Sequence, residues 1–373
     1  MNPFSYGTVV KEPYFFDRNK EQQKIVDILT GSNNLVLYAP RRYGKTSLVF
    51  KAMEKFEEKG FTCVYFDFMA IYSRETFIEA YSKEILSKQS NIKKALDAFT
   101  KFIHNIKPSV SVDDQGKPEF FVQFAESRIT DETLSSVIDM PKQFASHKNP
   151  YIVIMDEFQD ISKLNGETFE ALLRSKIQHH QNVNYLFLGS RTHILKNMFE
   201  NKNRPFYNSA YTMSLGVLPL DETVAYLKER FKQHHINISD SIAKKIIEEA
   251  GHIPYYIQLL ASEIWQNIVK VKATVDEQDI DKSARDILNH KSDYYFELFD
   301  SFSAYQKKLL KALAQENKNI FSRDYADKYR LSTASTTQKA INVLLNEGVV
   351  EKHADLYLFA DPFFKRFVIR LKA

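Results

Sequence analysis

The stretch Ala39-Pro40-Arg41-Arg42-Tyr43-Gly44-Lys45-Thr46-Ser47 constrains this chain more than any other. It follows an apolar run at 35–39 and precedes a segment with helical periodicity at 45–58. Strand, loop and helix in that order, with Gly-Lys-Thr at the junction, match the phosphate-binding pattern G-x-x-x-x-G-K-[ST] at every position but the first. The chemistry explains the spacing. Backbone N–H groups must wrap a phosphate closely, so Gly44 keeps a Cβ out of the way. Lys45 brings charge to the β- and γ-phosphates and the Thr46 hydroxyl suits Mg2+. The helix beginning there turns its positive end to the anion. Pro40, Arg41, Arg42, Tyr43, Gly44, Lys45, Thr46 and Ser47 are therefore expected to bind a nucleotide. Ala39 replaces the first glycine, which is tolerable where the local φ is negative.

A second signal supports the first. Residues 151–155 are an apolar run ending in Asp156-Glu157. A strand buried on both faces delivers its C-terminal residues to the edge where open α/β sheets bind ligands. Asp156 is expected to hold the magnesium shell, and Glu157 to orient and deprotonate a water. Asp160 reads as a helix cap or a surface acid. The next run, 184–188, leads to Gly189-Ser190. The Ser190 hydroxyl is either a sensor of the γ-phosphate and the attacking water or part of a plain Gly-Ser turn.

Strand-like runs at 35–39, 62–68, 151–155 and 184–188, separated by helix-length segments, predict a parallel sheet with crossover helices. One long amphipathic segment is expected from 75 to about 106. Alternation around Asp114-Gln115-Gly116-Lys117-Pro118 predicts a hairpin insertion near 108–124. After about 216 the strands stop and helical periodicity takes over at 221–232, 239–250, 254–269 and 275–288. The last of these opens with a capping-box pattern from Thr274 to Glu277. Helices at 304–315, 323–329 and 336–347, followed by an alternating run at 349–359, predict a winged helix-turn-helix. The domains expected are an α/β core at 1–216, a helical lid at 217–300 and a winged helix at 301–373.

Composition narrows the class. The 29 Phe and 20 Tyr must for the most part sit in cores. The single cysteine, Cys63, lies in an apolar run and reads as a buried small hydrophobe. There is no secretory leader pattern and no apolar run near ~20 residues, so a cytoplasmic protein with no membrane span is expected. The net charge of +4 is uneven: residues 301–373 are rich in Lys and Arg, and the rest is slightly acidic. That is a mild indication of a polyanionic partner.

Four stretches together resemble the AAA+-related STAND P-loop ATPases often called archaeal-type ATPases. They are Phe16-Asp17-Arg18 with Glu21, residues 40–48, Asp156-Glu157-Phe158, and Gly251-His252-Ile253-Pro254-Tyr255-Tyr256. The resemblance implies ATP/ADP and Mg2+ as ligands, ATP hydrolysis and a nucleotide-driven switch. It implies that Phe15, Phe16 and Arg18 pack on the adenine and that the lid motif ending at Pro254 senses the nucleotide. Read from the residues alone, Pro254 simply begins a helix, where proline is favoured. Many relatives carry Gly-Arg after a Pro-aromatic-Tyr motif, an arrangement resembling an arginine finger. Here Asn208-Ser209 follows Pro205-Phe206-Tyr207, so either turnover is slow or Arg191 or Arg204, each otherwise a surface arginine, is a substitute.

The winged helix leaves two readings open. Thr337, Gln338, Lys339 and Asn342 would form the exposed face of a recognition helix, with Lys352, His353, Lys365, Arg366 and Arg370 nearby in sequence. One lysine on that face is little for DNA, whose phosphates dominate affinity. The alternatives are a DNA-binding regulator and docking, to a protein partner or within the chain, with a nucleotide-dependent homo-oligomer as a further expectation.

Overall fold

The computed structural model describes residues 2–9, 14–16, 18–103, 106–112, 114, 118–124, 129–164 and 166–371. Among these, nine strands occur: β1 (Leu35–Tyr38), β2 (Thr62–Asp67), β3 (Ile106–Val112), β4 (Pro118–Phe124), β5 (Tyr151–Asp156), β6 (Val183–Gly189), β7 (Tyr211–Ser214), β8 (Val350–His353) and β9 (Leu356–Phe359). The chain divides into two compact units. One comprises Arg18–Ala39 and Lys45–Leu215; the other comprises Met1–Asp17, Pro40–Gly44 and Gly216–Ala373.

The first unit is an α/β layer built on a parallel sheet in the order β2-β5-β6-β1-β7. All six residues of β5 are buried, which is why its sequence is continuously apolar up to the acid. The helix Lys45–Glu58 buries Leu48, Val49, Ala52, Met53 and Phe56, a stripe at helical spacing. An aromatic core fills the sheet face. Phe158 meets Phe68, Phe187 and Phe206 at centroid distances of 5.6, 4.6 and 5.3 Å. Phe206, from the Pro-aromatic-Tyr motif, is a fully buried member of that core.

Several expectations change here. A fifth strand, β7, extends the sheet beyond β1, although only Met213 of it is buried. The long amphipathic segment forms two helices, Arg74–Ser87 and Ile92–Phe102, the first capped by Ser73 with Thr76 and the second by Asn91. The insertion is an antiparallel pair, β3 with β4. Its turn residues Gln115, Gly116 and Lys117 lie outside the described residues. Asp160 is neither a helix cap nor a surface acid: it is buried in the short 3-10 turn Phe158–Lys163 and accepts a bond from Lys163.

The second unit is helical up to a small ribbon. Helices Leu220–Lys232, Asp240–Glu249, Pro254–Ile268, Glu277–His290 and Ser292–Asp300 precede Ala304–Leu313, Arg323–Tyr329, Ala334–Asn346, the antiparallel β8–β9 pair and a final helix, Pro362–Arg370. The capping box of Glu277–His290 is formed by Asp276 and Asp279, two residues later than the Thr274 start read from sequence. The N-terminal segment belongs with these helices: Phe4 packs on Phe231 and Arg230 donates twice to the Pro3 carbonyl. Among the described residues no helix is long and apolar enough to cross a membrane.

Candidate phosphate and acid site

Because β1, β5 and β6 run parallel, with β6 between the other two, their C-terminal ends present Lys45, Glu157 and Ser190 along one sheet edge. Lys45 is buried, and its Nζ lies 2.7 Å from Asp156 Oδ1 and 3.3 Å from Glu157 Oε1. Thr46 Oγ1 donates to Asp156 Oδ2 at 3.2 Å. Ser190 donates to Glu157 Oε2 from both its amide (3.2 Å) and its hydroxyl (2.8 Å). Five residues from three separate stretches of the chain thus meet in one polar cluster.

Two further side chains, not picked out from sequence, complete it. The Tyr65 hydroxyl donates to Asp156 Oδ2 at 2.6 Å. Gln159 Nε2 donates to Glu157 Oε2. The β2–β5 register could have flagged Tyr65, but a residue in a mixed polar-apolar strand carries no signal of its own. Burial opposes ionisation of Glu157. Lys45 and the bonds from Gln159 and Ser190 outweigh it and hold the carboxyl below its usual range. Burial and the neighbouring Asp156 push the Tyr65 hydroxyl well above its usual value, so it remains a donor.

The backbone around the cluster is unusual where the chemistry needs it. Gly44 has φ +80° and Arg42 φ +73°. Glu157 itself sits at φ +47°, a left-handed conformation that non-glycine residues rarely adopt. Ala39 lies outside that region, so its methyl causes no backbone strain, and its N–H continues the β1–β6 pairing to Gly189 O at 3.2 Å.

A divalent cation can be tested against these donors. Among the described residues no group of three or more His, Cys, Asp or Glu is gathered as a metal cage. Thr46 and Asp156 instead offer a hydroxyl and a carboxylate oxygen near one another. That sparse, hard-oxygen set suits Mg2+, which keeps waters and phosphate oxygens as most of its ligands.

The remaining site candidates fall elsewhere. Arg18 is buried, has φ +67° and pairs with Glu21 at 3.0 Å. Phe15 is half-buried, and Phe16 stacks on Tyr226 with centroids 3.6 Å apart. Pro254 occupies the first turn of Pro254–Ile268, just after Gly251 and His252, both at positive φ. Arg41 is exposed and Ser47 is buried near the start of its helix. In the helical unit, Arg42 donates to the Tyr256 hydroxyl, lies 3.5 Å from Asp361 Oδ2 and sits over the rings of Tyr255 and Tyr256. Tyr295 also donates to Asp361, which caps the final helix. Tyr43 is buried and stacks on His353.

Of the two arginines weighed as substitutes for a finger, Arg204 is held by Glu167 at 2.9 Å and by the buried Glu170. Arg191 is about half exposed and only 3.9 Å from Asp160. On the recognition helix the expected face needs one correction. Thr337 is buried and hydrogen-bonded to the Tyr305 hydroxyl, leaving Gln338, Lys339 and Asn342 exposed. Arg366 is paired with Glu249.

A parallel sheet whose first strand runs through a Gly-Lys-Thr loop into a helix, with paired acids at the end of a buried neighbouring strand, defines a P-loop nucleotide-binding protein. The family model described as "ATPase domain predominantly from Archaea" matches residues 15–260, and the chain belongs to that family of ATP-binding P-loop ATPases. A "probable winged helix domain" model matches residues 293–370. The "uncharacterized ATP-binding protein MJ1301" of Methanocaldococcus jannaschii is 26% identical over 239 residues, 58% of each chain. The chain therefore spans somewhat over half the length of that curated relative.

Among solved structures, "the walker-type ATPase PABY2304 of Pyrococcus abyssi" superposes with a TM-score of 0.67 at 18% identity, covering 98% of this chain and 99% of its own. The Aeropyrum pernix ORC2 protein, in its ADPNP–ADP complexes, gives 0.53 at 15% identity and 99% of both chains. At such identities the likeness is one of fold.

Proposed function

We propose that this protein binds Mg-ATP and hydrolyses it slowly, using the exchange of ATP for ADP as a conformational switch. The observation that carries this reading is the convergence of Lys45 and Thr46 on Asp156, with Glu157 tied to Ser190 beside them. Lys45 is assigned to the phosphates, and Thr46 and Asp156 to Mg2+, which when bound neutralises phosphate charge. Glu157 is assigned to orient water and accept its proton, with Ser190 as the sensor beside it. The loop from Pro40 to Ser47 wraps the phosphates. Phe15, Phe16 and Arg18 are assigned to the adenine, and Pro254 to the segment that responds to nucleotide state. Residues 1–216, 217–300 and 301–373 would then act as core, lid and winged helix, with the N-terminal segment up to Asp17 packed among the helices and not in the core.

Single-turnover hydrolysis tests this. Glu157→Gln should bind ATP and fail to cleave it, whereas Lys45→Ala should lose binding. Wild-type hydrolysis in both variants would end the proposal. Sedimentation with ATP and with ADP reports whether self-association follows the nucleotide.

The winged helix is assigned to docking on a protein partner. Its exposed helix face offers a single lysine, Lys339, together with the half-exposed Val343. Binding of the full chain to duplex DNA with a steep salt dependence would favour the DNA-regulator reading instead.

A further inference from the structure

Gln159 is 3% exposed, yet only one of its side-chain polar atoms is used: Nε2 donates to Glu157, while Oε1 is buried without a partner. Leaving an amide oxygen desolvated costs about 1–3 kcal/mol. A methionine of similar length would fill the same space without that cost. Packing therefore does not account for an amide at this position. What the amide adds is its bond to Glu157.

That bond makes the two oxygens of Glu157 unequal. Oε2 accepts from Gln159, from the Ser190 amide and from the Ser190 hydroxyl, all fixed by the fold. Oε1 has Lys45 at 3.3 Å, the residue assigned to the phosphates. The fold also clears room for this contact. A Cβ on Gly189, at the end of β6, would come within 2.1 Å of Gln159 Oε1 and 2.4 Å of Leu195 Cδ1.

We propose that Gln159 is a positioning residue for hydrolysis: together with Ser190 it tethers Oε2 of Glu157, leaving Oε1 as the atom that takes the proton of the attacking water. A base oriented by a third group is a general requirement of such chemistry. The proton passes from water to Oε1, and the water oxygen forms its new bond to the γ-phosphorus as the bond to the ADP leaving oxygen breaks. Gln159 exchanges no proton. This inference rests on Glu157 being the base, as proposed above.

The test uses the full chain with Mg-ATP. Gln159→Met removes the donor at equal size, and Gln159→Asn keeps an amide but draws it out of reach. Each should lower kcat about 10- to 100-fold, a part of what a general base contributes, with KM within about 2-fold, and Gln159→Met should not lower Tm. In a Glu157→Gln background, adding Gln159→Met should slow the residual rate no further, because residues acting as one unit are not additive. Wild-type kcat in both Gln159 variants beside a slow Glu157→Gln overturns the tether alone. So does a joint change of kcat and KM with a lower Tm, or an additive double variant. Wild-type hydrolysis by Glu157→Gln overturns the base assignment itself.

Discussion

The Tyr65 hydroxyl donates to Asp156 Oδ2 at 2.6 Å from the neighbouring strand, while its ring packs on Phe50 of the helix that follows the phosphate loop. Both oxygens of Asp156 are thereby held in place. Oδ1 accepts from Lys45 and from the Glu157 amide, and Oδ2 from Thr46 and Tyr65. A carboxylate held on both oxygens has one orientation, which is what a metal-directed acid requires.

Tyr65→Phe removes one donor and leaves the ring in place. The Mg2+ concentration for half-maximal nucleotide binding should rise about 10-fold, the scale expected for groups that orient a ligand. Titration of a fluorescent ATP analogue against Mg2+ reads this directly, and an unchanged midpoint would exclude the role.

Gly189→Ala should destabilise the protein by about 1–3 kcal/mol, the usual penalty of overpacking. The new methyl meets Gln159 Oε1 and Leu195 at contacts that real Cβ atoms do not make. Urea denaturation measures it. A stability equal to wild type would mean that the Gln159 amide moves aside at no cost.

Much of this arrangement was legible in the residues, and the parts that were not share a cause. Residues 151–155 announce a buried strand because both faces are covered, and the loop announces itself because phosphate chemistry tolerates few residues there. β7 escaped because Tyr-Thr-Met-Ser buries one residue and pairs through its backbone. Tyr65 and Gln159 escaped because their roles depend on which strand lies alongside and which way a short turn folds. Thr337 is buried on a face that the sequence leaves exposed, because helical periodicity gives the stripe but not its phase against Tyr305. The final helix, Pro362–Arg370, was hidden behind its basic residues, one of which neutralises Glu249.

Asp139 predicts a pH dependence. Burial favours its neutral form, but His180 at 2.8 Å and Lys176 at 3.3 Å outweigh this and hold the carboxyl below its ordinary 3.8. A depressed folded value means stabilisation present above about pH 4. It is lost as pH falls through the folded value. Because the site is partly exposed, Asp139→Asn should cost only about 1 kcal/mol at pH 7. The difference from wild type should shrink near pH 3. Denaturation curves at the two pH values check it; an equal difference at both would remove the ionic contribution.

Cys63 should be chemically silent in the folded protein. It is buried in β2, and burial, with Glu57 adding and Lys88 opposing, pushes its thiol up to about 12. Only the thiolate reacts. A disulfide reagent at pH 8 should therefore label no thiol until denaturant is added. Rapid labelling of the native chain would contradict this.

The anchoring of Arg42 carries a consequence for how the chain is made. Its guanidinium rests on Tyr256 and Asp361, and Asp361 is fixed in turn by Tyr295 and by the helix it caps. On the ribosome, the loop emerges long before any of these partners. A nascent chain stalled after β7 would expose Lys45 and both acids while Arg42 still lacked its support. Arg42 should thus find its final place late in synthesis, once Asp361 and the helix that it caps have cleared the exit tunnel.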